Sequence, residues 1–200
     1  MKTLVASTLF TVLASSAFAA QTIPAGSYTL DNAHSKVGFE IPHLVISTVE
    51  GRFDKFDGSV VIDPKIEKSK VNVNIDVTTI DTANKDRDDH LRSPDFFDAA
   101  KFGKMTFVSK KITGTPEALK ITGDLTIKGK TKSVVLDAKY LGDVKDAYGN
   151  HKVVFTATSK INRKDFGLTW NAAVEVGPVV GDEVTLNLKI QANKPVDKKG

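Results

Sequence analysis

Val71-Asn72-Val73-Asn74-Ile75-Asp76-Val77-Thr78 alternates apolar and polar side chains without a break. A period of two puts the four aliphatic residues on one face of an extended segment and the polar ones on the other, as in a strand with one side against a core. The same alternation recurs downstream. Leu119, Ile121, Leu125 and Ile127 share one parity around Gly123, and Val134, Leu136, Ala138 and Tyr140 share another. Val153, Phe155, Ala157 and Ile161 follow, and Val184, Leu186, Leu188 and Ile190 alternate with Thr185, Asn187 and Lys189. Turn-forming residues fall between these runs: Asp57-Gly58, Asp63-Pro64, Thr113-Gly114-Thr115-Pro116, Lys128-Gly129-Lys130 and Tyr148-Gly149-Asn150. The fold class is therefore all-β, an antiparallel meander. An antiparallel sheet of roughly eight strands must hide its edges, and closure into a barrel hides them completely while leaving room inside for side chains or one small ligand. A two-sheet sandwich has the same period and stands as the competing architecture.

Two stretches break the period. Pro42 to Glu50 holds Leu44, Val45 and Ile46 between a proline and Gly51, and predicts a short helical turn. Ala83 to Arg92 predicts a helix, with Asp88 and Arg92 spaced i,i+4 and Pro94 halting it. The charged block from Asp86 to Asp95 runs into Phe96 and Phe97. Strands usually connect by short turns, so a charged helical insertion ending in two aromatics suggests a structure built over the mouth of a sheet or barrel.

The N-terminus is a predicted secretory signal over residues 1–19. Lys2 supplies a positive charge, Leu4 to Leu13 is apolar apart from small hydroxyl residues, and Ala17-Phe18-Ala19 fits a small-x-small cleavage site. The apolar run falls short of the about 20 residues that span a bilayer. Residues 20–200 then form a single exported domain, with the tail from Lys194 to Gly200 frayed. The formal charge of +4 becomes +3 without Lys2, with no run of like charge. That balance and export argue against nucleic acid and leave a modest attraction to phosphate or an anionic membrane surface. The chain contains no cysteine, so neither disulfides nor thiolate chemistry is available.

Catalytic patterns are weak. Asp86, Asp88, Asp89 and His90 include an i,i+4 pair that could share an ion, but no second His pair follows at metal spacing and no HExxH occurs. Ser35 beside His34 lacks a Gly-x-Ser-x-Gly elbow, and neighbours on a strand face opposite ways. No phosphate-cradling glycine loop is present. The expectation is a non-enzymatic protein without cofactor or metal.

Tyr28-Thr29-Leu30-Asp31-Asn32-Ala33-His34-Ser35-Lys36-Val37-Gly38-Phe39, then His43-Leu44 and Gly51-Arg52-Phe53, resembles the opening of the YceI family. Arg87-Asp88-Asp89-His90-Leu91-Arg92-Ser93 with Asp95-Phe96-Phe97 resembles its second signature. Gly123-Asp124-Leu125-Thr126-Ile127-Lys128-Gly129 and Ile161-Asn162-Arg163-Lys164-Asp165-Phe166-Gly167 are further matches. The resemblance spans Ser27 to Asn193. It implies a lipocalin-like antiparallel barrel in the periplasm whose apolar cavity holds a polyisoprenoid or similar amphiphile, of quinone or prenyl phosphate type, and which is often stress-induced. Dimers are known in that family, so a homodimer belongs to the expectation.

Burying each prenyl methylene is worth ~0.8 kcal/mol, so a tube of aliphatic and aromatic residues suffices for tight binding without catalysis. The polar head needs a few donors, and Arg is the best-shaped side chain for phosphate. By motif position Arg87, Arg92 and Arg163 are the head-group candidates. Phe96, Phe97, Phe166 and Trp170 are candidates for the entrance or tube, and Phe39, His43 and His90 join them. Each has a structural alternative. Arg87 would pair with Asp95 or Asp98; His34 and His43 would be hydrogen-bonded core histidines; one of Phe96 and Phe97 would pack the core; Trp170 would simply fill the barrel. The rival function is a structural or stress-protective protein whose barrel is filled by its own side chains, and the two differ in whether a continuous cavity exists.

Overall fold

Alternation becomes strand over the whole chain described, and the strands close on themselves. The computed structural model describes residues 22–174 and 177–194. The expected signal peptide and the expected frayed tail beyond Lys194 lie outside the described residues. In chain order the first strands are β1 (Gly26–Leu30), β2 (Lys36–His43), β3 (Ser47–Phe53), β4 (Phe56–Ile62), β5 (Lys70–Asp76) and β6 (Ile80–Asp81). Helix α1 (Lys85–Arg92) interrupts them. Then come β7 (Lys104–Thr115), β8 (Ala118–Ile127), β9 (Lys130–Lys145) and β10 (His151–Asn162), the small pair β11 (Ala173–Val174) and β12 (Gly177–Pro178), and β13 (Glu183–Lys194).

Eight strands form a closed antiparallel barrel in the order β1-β4-β5-β7-β8-β9-β10-β13, sealed where Thr29 and Leu30 pair with Asn193 and Ala192. The sandwich alternative is thereby excluded. Beyond short breaks at residues 31–35, 54–55 and 77–79, the strands β1, β4 and β5 continue as β2, β3 and β6, with β2 replacing β1 beside β13. At that end β6 pairs with β3 alone among the described residues, and α1 with the turns after it fills the wall before β7 starts. The charged insertion thus sits at one mouth of the barrel.

Inward parity follows the sequence pattern. Leu119, Leu125, Ile127, Leu136, Ala138, Ala157 and Ile161 are buried. Val71, Val73, Val184, Leu186, Leu188 and Ile190 share that inward parity yet are only half buried, because their inner surfaces face a cavity. Gly51 makes room for the Phe39 ring: a Cβ there would stand 2.3 Å from Phe39 Cζ.

Three expectations need correction. Pro42 to Glu50 is not helical; it is the end of β2, a turn and the start of β3, with Leu44 and Val45 at φ 51° and 66°. Pro42 is tolerated because β2 has already lost its β13 partner after Glu40, so no ladder bond needs the missing N–H. Asp57-Gly58 lies inside β4, where the glycine permits close approach to β5: a Cβ would stand 2.2 Å from the Asn72 carbonyl oxygen. In α1 the ion pair of Arg92 is to Asp89 and not to Asp88, which is buried against Thr82.

Candidate functional site

The half-buried inner faces enclose a cavity of about 550 Å³ lined from every strand of the barrel. Its walls are almost wholly aliphatic and aromatic, including Val37, Phe53, Ile75, Phe107, Leu125 and Leu188. One end is plugged by a second cluster of Tyr28, Val60, Ile62, Tyr140, Val153 and Ala192. There the Tyr140 hydroxyl donates to Asp143, which also bonds His151 at 2.7 Å. Burial, then the bond to Asp143, pushes the Tyr140 phenol above its ordinary range, so it stays a donor.

Polar side chains reach the cavity mainly at the other end, where α1 meets β2 and the 179–180 segment. Asn84, the residue after the left-handed Ala83, caps the helix by accepting from the Arg87 backbone N–H at 3.0 Å, so that it starts at Lys85. Buried Asp88 accepts from the Thr82 backbone N–H at 2.9 Å and its hydroxyl at 2.6 Å, anchoring the helix to the chain after β6. Arg87 lies along the same anchor, donating from Nε to the Thr82 hydroxyl at 2.8 Å and from Nη2 to its carbonyl at 2.7 Å. Its expected carboxylate partners are engaged elsewhere, Asp95 with His90 and Asp98 with Lys101. Nη1 of Arg87 has no acceptor among the described residues, and the side chain lines the mouth beside Asp86 and His90.

Aromatic rings form a collar around this mouth. The His90 ring stands edge-on to Phe96 at 5.0 Å and to Trp170 at 4.9 Å, with Phe96 and Trp170 5.1 Å apart. Phe53 links Phe39 at 5.8 Å to Phe97 at 5.9 Å. Both Phe96 and Phe97 line the cavity. Neighbours on an extended segment would face opposite ways, but here Phe96 N–H donates to the Ser93 carbonyl and Phe97 N–H to the Leu91 carbonyl in consecutive turns, and both rings reach the cavity.

Eight of the ten residues singled out by sequence line this cavity: Phe39, His43, Arg87, His90, Phe96, Phe97, Arg163 and Trp170. Arg92 does not; it ties α1 to the strand wall by donating to the Thr78 and Ile80 carbonyls and to Asp89. Phe166 is fully buried behind the wall and lines no part of the cavity. Arg163, though at the lining and 4% exposed, has nothing to offer a head group. Its five donors go to the carbonyls of Leu168, Trp170, Val180 and Gly181 and to Asp182. Burial lowers its pKa, opposed by Asp182. His34 sits away from the cavity, bonded to Asp31 at 2.9 Å. Asp88, Asp89 and His90 each bind separate partners, and among the described residues no three His, Asp or Glu side chains could hold one ion. Two further lining residues carry no binding signal of their own in the sequence: Phe53, which ends the Gly51-Arg52-Phe53 motif, and Asp86, whose spacing to His90 points only to a metal ligand.

Comparison with known proteins fits this arrangement. The YceI-like domain family matches residues 28–192. Protein YceI of Escherichia coli O157:H7 is 40% identical over 181 residues, covering 89% of this chain and 92% of that one. The crystal structure of BcnA from Burkholderia cenocepacia is 28% identical with a TM-score of 0.72, over 81% of this chain and 98% of that one. A polyisoprenoid binding domain from Saccharophagus degradans shares the fold at 15% identity, with a TM-score of 0.64 over 84% of this chain and 98% of that one.

Proposed function

Because the chain belongs to the YceI-like family, we propose that its barrel is a lipid-binding module that shields the tail of a polyisoprenoid, of quinone or prenyl phosphate type, for carriage, storage or stress response in the periplasm. The continuous apolar cavity of about 550 Å³ carries this proposal. A barrel filled by its own side chains would bury Val73, Leu186, Leu188 and Ile190 completely, whereas their inner surfaces stand open. Binding works by burial alone: at ~0.8 kcal/mol per methylene a prenyl chain outweighs the cost of being ordered. Arg87 and His90 at the aromatic mouth receive the polar head. Use of the same fold as a polyisoprenoid binding domain in Saccharophagus degradans supports the choice of ligand class, and the signal-like N-terminus supports export.

The test is native mass spectrometry of protein purified from the periplasm, with organic extraction of whatever leaves with it. A stoichiometric prenyl lipid is expected. A bare mass that stays bare after incubation with prenyl lipids would overturn the proposal.

A further inference from the structure

The turn between β2 and β3 is built from Leu44, Val45 and Ile46, three aliphatic residues in place of the Asn-Gly type that suits such a turn. Ile46 is 87% exposed and Val45 65%. Val45 is β-branched and held at φ 66°, a conformation such residues avoid, and Leu44 beside it is at φ 51°. Strain of this kind persists only where the surroundings impose it. The surroundings are the cavity mouth. Leu44 N–H donates to the Val179 carbonyl at 2.9 Å, Gly181 N–H to the Pro42 carbonyl at 2.9 Å, and His43 bridges to Val180. Pro42, His43, Val179 and Val180 all line the cavity. The apolar tip is therefore the outer continuation of the portal.

We infer that this hairpin tip inserts into the surface of a lipid bilayer and brings the portal against it, so that ligand passes between membrane and cavity without crossing water. The inference rests on the lipid-binding function proposed above. Three aliphatic side chains fall far short of the roughly 800 Å² per partner that a stable protein interface needs, but they suit a shallow, reversible membrane contact that scales with buried apolar area. The ligand chemistry points the same way, since a prenyl lipid has its reservoir in a bilayer.

The experiment compares the unaltered protein with the double variant Val45→Asn/Ile46→Ser and with Tyr148→Ser. Tyr148 is 86% exposed on the β9–β10 turn at the opposite end of the barrel. Vesicles of phosphatidylethanolamine and phosphatidylglycerol carry a dansyl-labelled geranylgeranyl alcohol. The double variant is expected to keep the affinity of the unaltered protein for probe dispersed in detergent while extracting it from vesicles about tenfold more slowly, because two inserting aliphatic side chains are gone. Tyr148→Ser is expected to extract at the unaltered rate. Equal rates for all three, an equal loss in Tyr148→Ser, or a dimer that only the double variant dissociates would each overturn the inference. Sedimentation with probe-free vesicles separates the two proposals. If no form binds the dispersed probe, the lipid-binding function fails, and docking still stands or falls on whether the double variant loses vesicle-bound protein.

Discussion

Two arginines that the motifs treat alike have opposite roles at the scale of single residues. Arg163 spends five donors on two chain segments and is buried, so Arg163→Met would strand the Leu168, Trp170 and Gly181 carbonyls, Val180 keeping its bond from Asn171. A loss of about 3 kcal/mol or more in urea unfolding is expected, and Arg163→Lys should recover little of it because an ammonium cannot reproduce the planar fork. Arg87 has two bonds to Thr82 and an uncommitted Nη1 at the mouth. Arg87→Gln is expected to weaken a prenyl phosphate by about tenfold, the loss of one charge-assisted contact, and to leave a prenyl alcohol unaffected. Equal affinities for the phosphate in both proteins, by fluorescence titration, would remove Arg87 from the head-group site.

At the scale of elements, the strands were legible because a two-residue period survives wherever one face looks inward, and it does so whether that face meets a core or a cavity. Helix α1 was legible because Pro94 marks its end and its residues fit no strand. The β2–β3 hairpin was not, since Leu44, Val45 and Ile46 violate turn chemistry and only the bridge to Val180 explains them. The role of Arg163 was hidden for a similar reason: its partners at 180–182 are distant in sequence. Asp31, at the break between β1 and β2, gives the element scale its own prediction. It accepts bonds from His34, Gln191 and Asn193 and so ties that break to β13. Burial works to raise its pKa, but the bonds from Asn193, His34 and Gln191 prevail and hold it at about 2, against an ordinary 3.8. A depressed carboxylate stabilises the fold fully above its unfolded pKa, and the contribution, about 2 kcal/mol, drains away as pH falls from about 4 toward 2. Asp31→Asn should therefore be less stable at neutral pH and show a flatter loss of stability through that window in urea unfolding. An unchanged slope would mean that other carboxylates govern acid unfolding.

For the whole molecule, a cavity kept open is stability forgone, since every lining atom lacks partners on its inner side. That deficit makes the two functions proposed from sequence separable by a substitution that adds volume. Leu188 and Val73 face the cavity and are only half buried. In a filled barrel, Val73→Phe or Leu188→Phe would overpack the interior and cost about 1–3 kcal/mol. Here the added ring has space to enter, so lipid-free protein should unfold at a higher temperature, by about 0.5–2 kcal/mol of added stability. Ligand is expected to narrow the difference between the two proteins. Prenyl lipid should raise the melting temperature of the unaltered protein with concentration, as mass action requires of anything that binds only the folded state, and should raise that of Leu188→Phe much less, because the ring occupies the space the chain would take. Calorimetric melts of both proteins, stripped of lipid and then titrated with it, measure all four quantities, and a variant less stable than its parent when both are lipid-free would show that the interior is already packed.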